Sequence, residues 1–139
     1  MPAKIRALIA AAGAVALLAL PAILWFGFPY LSYRIYMAWL ASGVKGEYGT
    51  LTADLASTLA PRYDADIGAA RYAFTTRLPG HLAVSDCATV YFGDPGIVAH
   101  LRLGLPLTDR ELRWLAHELT HGEQCGRWGG RMRFAETWF

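Results

Sequence analysis

Hydrophobic residues dominate the first quarter of the chain, and a mixed hydrophobic and polar pattern follows. Ala7 to Tyr33 is a run of 27 residues without a charged side chain, whereas about 20 apolar residues are enough for a helix to cross a membrane. Lys4 and Arg6 precede the run, and short basic segments mark the cytoplasmic side. The pattern predicts a transmembrane signal anchor with the rest of the chain exported.

A cleaved signal peptide is the alternative for this segment. Leu20-Pro21-Ala22 is a poor cleavage site, however, and the apolar run continues beyond it. Aromatic residues such as Tyr36 and Trp39 follow where an interfacial belt would lie. We therefore expect an uncleaved anchor and divide the chain into a cytoplasmic tail (1–6), a transmembrane signal anchor (7–33), a juxtamembrane linker (34–49) and a folded domain (50–139).

The pattern beyond the linker predicts a small α+β domain. Turn residues and Pro61 separate its segments, and a short apolar run does not by itself distinguish a strand from a helix. We expect a helix over Leu51 to Ala60, strands over Ala70 to Thr76 and Ala88 to Phe92, a strand or short helix over Ile97 to Leu103, and a last short helix over Arg131 to Phe139.

The clearest helix start in the sequence is a capping box at Thr108 and Glu111. In this motif the Thr hydroxyl accepts the backbone N–H three residues on, and the Glu carboxylate accepts the Thr backbone N–H. The box predicts a helix from Asp109 to about Cys125, with Gly126 as the C-terminal cap.

This helix carries the H-E-x-x-H pattern at His117, Glu118 and His121. Two histidines four residues apart lie about 40° from each other around a helix, so that both imidazoles reach one Zn²⁺. Glu118 points to the side of the pair, where it can act on water rather than on the metal. Gln124 lies on the histidine face one turn further along and is a candidate partner of a ligand.

A leucine stripe on the same helix supports this geometry. Leu112, Leu115 and Leu119 fall within an arc of about 60° roughly opposite the two histidines. An amphipathic helix buries such a stripe and leaves the other face open. The histidine pair is therefore expected to face a cleft.

The charge balance of the chain argues against a nucleic-acid partner. The chain has 13 Lys and Arg against 11 Asp and Glu, and Lys4 and Arg6 account for the difference. The folded domain is thus neutral, whereas nucleic-acid-binding domains present a basic patch. We expect a peptide or protein substrate and no nucleic-acid partner.

Two segments, A-V-S-D-C-A-T-V-Y-F-G (83–93) and L-A-H-E-L-T-H-G-E-Q (115–124), together resemble a known family. They are similar to the core metallopeptidase-like domain of proteins associated with bacterial extracellular contractile injection systems. The family is largely of unknown function, and the resemblance covers about residues 50–125. It implies a minimal, gluzincin-like zincin domain in which a small sheet packs on the zinc helix.

The resemblance also implies a third zinc ligand, which in gluzincins is a Glu on the helix after the zinc helix. Glu136 is the Glu in that position. His100, His81 and Asp94 are weaker candidates, and a chain without a third ligand is the other alternative. Catalytic zinc usually has three protein ligands and a water.

In such domains a strand edge beside the zinc helix holds an extended peptide, and Ala88 to Phe92 would take that place. Cys87 stands where the family has Gly, and Cys125 replaces a residue that is often Gln. We expect these two cysteines, which flank one site, to form a disulfide; a pair of free thiols is the alternative.

The sequence therefore predicts a single-pass protein of the inner membrane, with a transmembrane helix followed by a periplasmic or extracellular zincin-like domain. Its predicted function is zinc-dependent peptide hydrolysis, with His117, His121 and Glu136 as ligands and Glu118 as general base. The alternative is a membrane-anchored docking or assembly module with a non-catalytic zincin fold.

Overall fold

The mixed pattern that follows the apolar run folds into an α+β structure, and the computed structural model describes residues 28–131. In this range four helices surround one four-stranded mixed sheet. The elements are α1 (28–42), β1 (Gly49–Thr50), α2 (Ala53–Leu59), β2 (Arg71–Phe74), β3 (Ala83–Ser85), β4 (Thr89–Phe92), α3 (Pro95–Leu103) and α4 (Asp109–Arg127), with 3-10 turns at Ala60–Arg62 and Ile67–Ala69.

The parallel pair β2 and β4 forms the centre of the sheet, with Tyr72 beside Val90. β1 is antiparallel to β2, and β3 is antiparallel to β4, which gives the order β1-β2-β4-β3. The expectation that Ala88 to Phe92 is an edge strand is therefore wrong, because β3 covers the outer side of β4. An edge strand keeps one row of backbone N–H and C=O groups outside the sheet ladder, and here that strand is β3.

Side-chain alternation along the central strands separates two hydrophobic cores. Tyr72, Val90 and Phe92 pack with side chains from α2, α3 and α4 on one face. Ala73 and Tyr91 pack with α1 on the other face. Because both faces are covered, every residue of β4 is buried, and its sequence lacks the alternation of a half-exposed strand.

Helix α1 is one layer of this structure. Tyr33, Met37 and Leu40 are buried against the sheet, and the Thr75 hydroxyl donates a hydrogen bond of 2.7 Å to the Leu40 carbonyl. Residues 34–42, which the sequence places in a linker, therefore contribute to the core.

The predicted membrane span has to be corrected. Between residues 28 and 131, no helix is both long enough and apolar enough to cross a membrane. On this finding the transmembrane helix of the expected fold class and the single-pass location in the inner membrane are wrong. Residues 28–33 of the expected span form the first part of α1, and the inner face of α1 packs on the sheet. Residues 1–27 lie outside the described range.

Helix α4 begins where the sequence predicts. The Thr108 hydroxyl accepts the Glu111 backbone N–H at 3.3 Å, and a Glu111 carboxylate oxygen accepts the Thr108 backbone N–H at 2.8 Å, which completes the capping box. Leu115 and Leu119 are buried and Leu112 is partly buried. The leucine stripe therefore fixes which side of the helix faces the sheet.

The end of α4 differs from the prediction by two residues. The helix continues to Arg127, because Gly126 has helical rather than left-handed backbone angles. The left-handed conformation that glycine adopts most easily occurs at Gly129 and Gly130, with φ of 82° and 101°. The chain therefore leaves the helical conformation at the Gly129-Gly130 pair.

The segment that fitted either a strand or a helix is helix α3. The Asp94 side chain accepts the Gly96 backbone N–H at 2.7 Å, Pro95 occupies the first position, and Gly104 ends the helix with φ of 63°. These residues form a standard helix start and stop. In the sequence they resemble a turn because Asp, Pro and Gly also favour turns.

Cys87 and Cys125 form the predicted disulfide, with Cα atoms 5.3 Å apart, and neither is a free thiol. The bond joins the turn between β3 and β4 to the last turns of α4. One turn earlier, an added Cβ at Gly122 would lie at an ordinary contact distance of 3.7 Å from the Cys87 carbonyl oxygen, so the two segments are in contact. The β3–β4 turn is therefore held against α4.

Removing the cap of α4 should destabilise the fold. We expect Thr108→Ala to lower the free energy of unfolding by about 1 kcal/mol, because the Glu111 N–H loses its acceptor. Urea unfolding of the full chain measures the change. Thr58→Ala, which removes an exposed hydroxyl bonded to the Asp54 carbonyl in α2, is the control and should change stability by less than about 0.5 kcal/mol. Equal effects of the two variants would contradict the assigned role of the cap.

Removing the disulfide should have a larger effect. The bond spans 38 residues, for which the chain-entropy model gives about 3–4 kcal/mol. We expect the double variant Cys87→Ala, Cys125→Ala to lose this amount in urea unfolding. Reduction of the unmutated chain is the matched control and should cause a similar loss. A loss below about 1 kcal/mol in both would contradict a constraining role for the bond.

Candidate functional site

Two imidazoles converge on the outer face of α4. His117 and His121 lie one helical turn apart, and their Nε2 atoms are separated by 3.2 Å. The ring centroids are 4.7 Å apart and the ring planes nearly perpendicular, at 85°. His117 is exposed and His121 is partly buried. The two ring nitrogens thus meet at a point that a solute can reach.

Gln124 orients one of these rings. Its side-chain oxygen lies 3.1 Å from Nδ1 of His121. Because a carbonyl oxygen only accepts hydrogen bonds, Nδ1 carries the donated proton. A neutral imidazole with its proton on Nδ1 has a lone pair on Nε2, and the Nε2 atom of His121 faces His117. This is the tautomer that metal-ligating histidines adopt when an outer oxygen holds the other nitrogen.

The separation of the two nitrogens fits a shared Zn²⁺. Zinc binds imidazole nitrogen at about 2.0–2.1 Å with tetrahedral geometry, so two such ligands lie about 3.4 Å apart. The observed 3.2 Å differs from this value by a few tenths of an ångström. Imidazole also suits zinc far better than Mg²⁺ or Ca²⁺, which prefer oxygen ligands. The residues present therefore fit two of the ligand positions of a zinc ion.

The described part of the chain does not complete the ligand set. Across residues 28–131, no group of three or more His, Cys, Asp or Glu side chains is arranged to hold a metal ion. The prediction of a complete metal-binding group is wrong for these residues, because three protein ligands are usual at a catalytic zinc. Glu136, the expected third ligand, lies outside the described range.

The weaker candidates for a third ligand have other positions. Asp94 caps α3, and His81 is exposed between β2 and β3. Nδ1 of His100 lies 3.0 Å from the Glu111 carboxylate at the start of α4. Burial raises the pKa of Glu111, but hydrogen bonds from Thr108 and His100 outweigh it and hold that pKa below its ordinary value. His100 therefore pairs with the helix start.

Glu118 lies on a different side of α4 from the two histidines. Its side chain is only 4% exposed and lines a cavity of about 120 Å³ between α4 and the segments 65–70 and 86–90. None of the described residues forms a hydrogen bond or an ion pair with its carboxylate. The side chain is thus largely buried, and no described residue pairs with its carboxylate.

Three further carboxylates line the same cavity, and no pattern in the sequence predicts that they lie together. They come from loops and from α4, and only the fold brings them together. No helical or strand spacing links the two loop aspartates to Glu118. The three are Asp66, Asp86 and Glu123, which accept backbone N–H groups of Gly68, Ala88 and Asp64 at 2.9, 2.8 and 2.9 Å.

Two arginines pair with these carboxylates. Arg127 lies 3.1 Å from Glu123 and 2.6 Å from Asp64, and Arg131 lies 3.5 Å from Asp86. Neither arginine lines the cavity. The positive charge is therefore outside the cavity and the carboxylates are inside it.

Tyr33 lies close to this region. Its own burial, together with the Asp86 carboxylate, raises the pKa of Tyr33 to about 12, although Arg131 and a backbone hydrogen bond at Cys87 act in the opposite direction. The phenol is neutral at physiological pH, so it adds no charge to this region.

The uncommitted Glu118 should lower the stability of the fold. We expect Glu118→Gln to raise the free energy of unfolding of the metal-free chain by about 1–3 kcal/mol, because a buried charged group without a partner is costly. Urea unfolding at neutral pH measures this. The matched variant Glu123→Gln should be destabilising, since it removes the charge that pairs with Arg127. If both substitutions lower stability alike, Glu118 is not an uncompensated carboxylate.

Comparison with known proteins adds no assignment: no protein-family model, curated protein or solved structure matches this chain. The resemblance to the domain associated with contractile injection systems stays a prediction.

Proposed function

We propose that this chain is a zinc-dependent metallopeptidase-like protein. His117 and His121 hold the metal ion, and Glu118 is the general base for hydrolysis of a peptide bond. The observation that carries the proposal is the 3.2 Å separation of the two Nε2 atoms, with the His121 ring oriented by Gln124. A purely structural zinc site would not require an uncommitted carboxylate on the helix that carries the histidines.

The chemistry divides between the metal and Glu118. When bound, Zn²⁺ supplies Lewis acidity, which polarises a carbonyl oxygen and makes water more acidic. Glu118 takes the proton from the attacking water and passes it to the amine nitrogen as the peptide bond breaks. Its low exposure and the lack of a partner among residues 28–131 leave the carboxylate free for this transfer.

An extended peptide is the substrate class that the sheet favours. β3 is an edge strand, and α4 packs beside it. Main-chain groups of a peptide can pair with such an edge, and this orients the peptide independently of its sequence. In this proposal β3 replaces Ala88 to Phe92 as the strand that holds the substrate.

Glu136 is the third ligand in this proposal. Its distance along the chain permits this role, because six residues separate it from Gly130 and six residues span up to about 20 Å. The end of α4 at Arg127 is six residues beyond His121, or about 9 Å at the rise of a helix. Gly129 and Gly130 have left-handed backbone angles, so the chain changes direction directly after α4.

A docking module is the second candidate function. The observation in its favour is that the residues from 28 to 131 hold no group of three metal ligands. In this alternative the two histidines bind zinc weakly or for structure, and β3 binds a partner segment without cleaving it.

The test uses the full chain, loaded with zinc and then dialysed. We expect one zinc per chain and slow hydrolysis of an unfolded protein. Glu118→Gln should keep the zinc and lose activity by about 10²-fold or more. Gln124→Leu should weaken zinc binding by about 10–100-fold, and Glu136→Ala should weaken it at least as much. Glu47→Gln, an exposed Glu far from α4 in the sequence, is the matched control.

The outcomes separate the two functions. Activity that survives Glu118→Gln would contradict the proposed mechanism. One zinc per chain without any hydrolysis would favour the docking module. Zinc binding that is unchanged in Glu136→Ala would exclude Glu136 as a ligand.

A further inference from the structure

The cavity beside Glu118 has an unusual lining. Four carboxylates face it, from Asp66, Asp86, Glu118 and Glu123, and no Lys or Arg does. The remaining wall is largely apolar, with Ile67, Val90 and Leu119 among its side chains. An apolar wall with several carboxylates suits a ligand that combines an aliphatic stem with a positive charge.

The charge of the cavity is not fully compensated. Asp66, Asp86 and Glu123 each accept one backbone N–H, at 2.8–2.9 Å, which leaves acceptor capacity on each carboxylate. Arg127 and Arg131 pair with two of them from outside the cavity.

Glu118 adds the observation that points to a ligand. It is 96% buried, it lines the cavity, and the described residues give its carboxylate no partner. A negative charge in such surroundings is stabilised when a cation enters. A metal ion does not suit the cavity, because no set of three ligands is arranged for one within residues 28–131.

We propose that this cavity binds the cationic group of a peptide substrate, an ammonium on an aliphatic stem, on the Glu118 side of α4. The assignment rests on the proposed function, which places the scissile bond at His117 and His121. The ammonium lies among the carboxylates of Asp66, Asp86 and Glu123, and its positive charge stabilises the nearby carboxylate of Glu118. A lysine side chain and a peptide N-terminus share this chemistry.

The test compares peptides on the unmutated, metal-free full chain. One peptide has a central lysine and the other has norleucine, which keeps most of the stem and lacks the charge; each is made with a free and with an acetylated N-terminus. Binding is followed by the amide NMR signals of Ala88 and Gly122, which border the cavity. We expect about tenfold tighter binding of a charged peptide, as a charge-assisted hydrogen bond would give. Dependence on lysine or on the free N-terminus identifies the source of the ammonium.

Charge-removing variants give a second, independent readout. Asp66→Asn and Asp86→Asn keep the side-chain acceptor for the backbone N–H and remove one charge each. Either variant should reduce the preference for the charged peptide by about threefold or more. Asp54→Asn, in the first turn of α2 and outside this cavity, is the matched control and should leave the preference unchanged.

Equal affinity for the charged and neutral peptides would overturn the inference, as would signal changes confined to residues outside the cavity. Zinc-dependent hydrolysis without a preference for the charged peptide would also overturn it while leaving the proposed function intact. Selective binding of the charged peptide without hydrolysis would instead retain the cationic site and reject the peptidase function.

Discussion

The Cys87–Cys125 disulfide holds the end of α4 against the turn between β3 and β4, and the position of the whole site depends on this link. Residues 86–90 form one wall of the Glu118 cavity, and α4 forms the opposite wall. Without the covalent bond, the contact between these walls would depend on a short edge strand and on the packing of Leu115 and Leu119. The capping box at Thr108 fixes the other end of the helix, so α4 has little freedom to rotate or slide.

Because α4 is held in this position, the side chains on its two sides have different surroundings. The histidine pair lies at the surface, where it can exchange a metal ion with solvent, whereas Glu118 lies inside, where its charge is poorly solvated. The leucine stripe enforces the separation, because Leu115 and Leu119 pack on the sheet and set the rotation of the helix. An uncommitted buried carboxylate reduces stability. Its presence on the helix that carries two converging imidazoles is expected if the carboxylate accepts and donates protons.

Local chemistry was predictable from sequence wherever one element determined it. The start of α4, the convergence of His117 and His121, and the burial of the leucines follow from helical spacing and capping. The disulfide was expected from a family resemblance, and the fold confirms it by bringing its cysteines, 38 residues apart, together. β3 was missed because three residues carry too little pattern to identify a strand, and its antiparallel pairing moved the sheet edge away from β4.

The features that could not be predicted from the sequence depend on contacts between segments that are distant along the chain. Residues 28–33, the end of the apolar run that predicted a membrane span, lie in α1, and α1 uses Tyr33, Met37 and Leu40 to cover one face of the sheet. The acidic cavity was invisible in sequence because Asp66 and Asp86 lie in separate loops that only folding brings to α4. The third metal ligand could not be derived from spacing, since a ligand from another segment follows no helical period.

The proposed function requires that the two imidazoles of α4 bind one zinc ion. Zinc X-ray absorption spectroscopy on the full chain loaded with one equivalent measures the ligands of that ion. We expect two imidazole nitrogens at about 2.0–2.1 Å, with oxygen in the other positions and no sulfur, because both cysteines are in the disulfide. A spectrum with one imidazole or none, or with sulfur as a ligand, would contradict it.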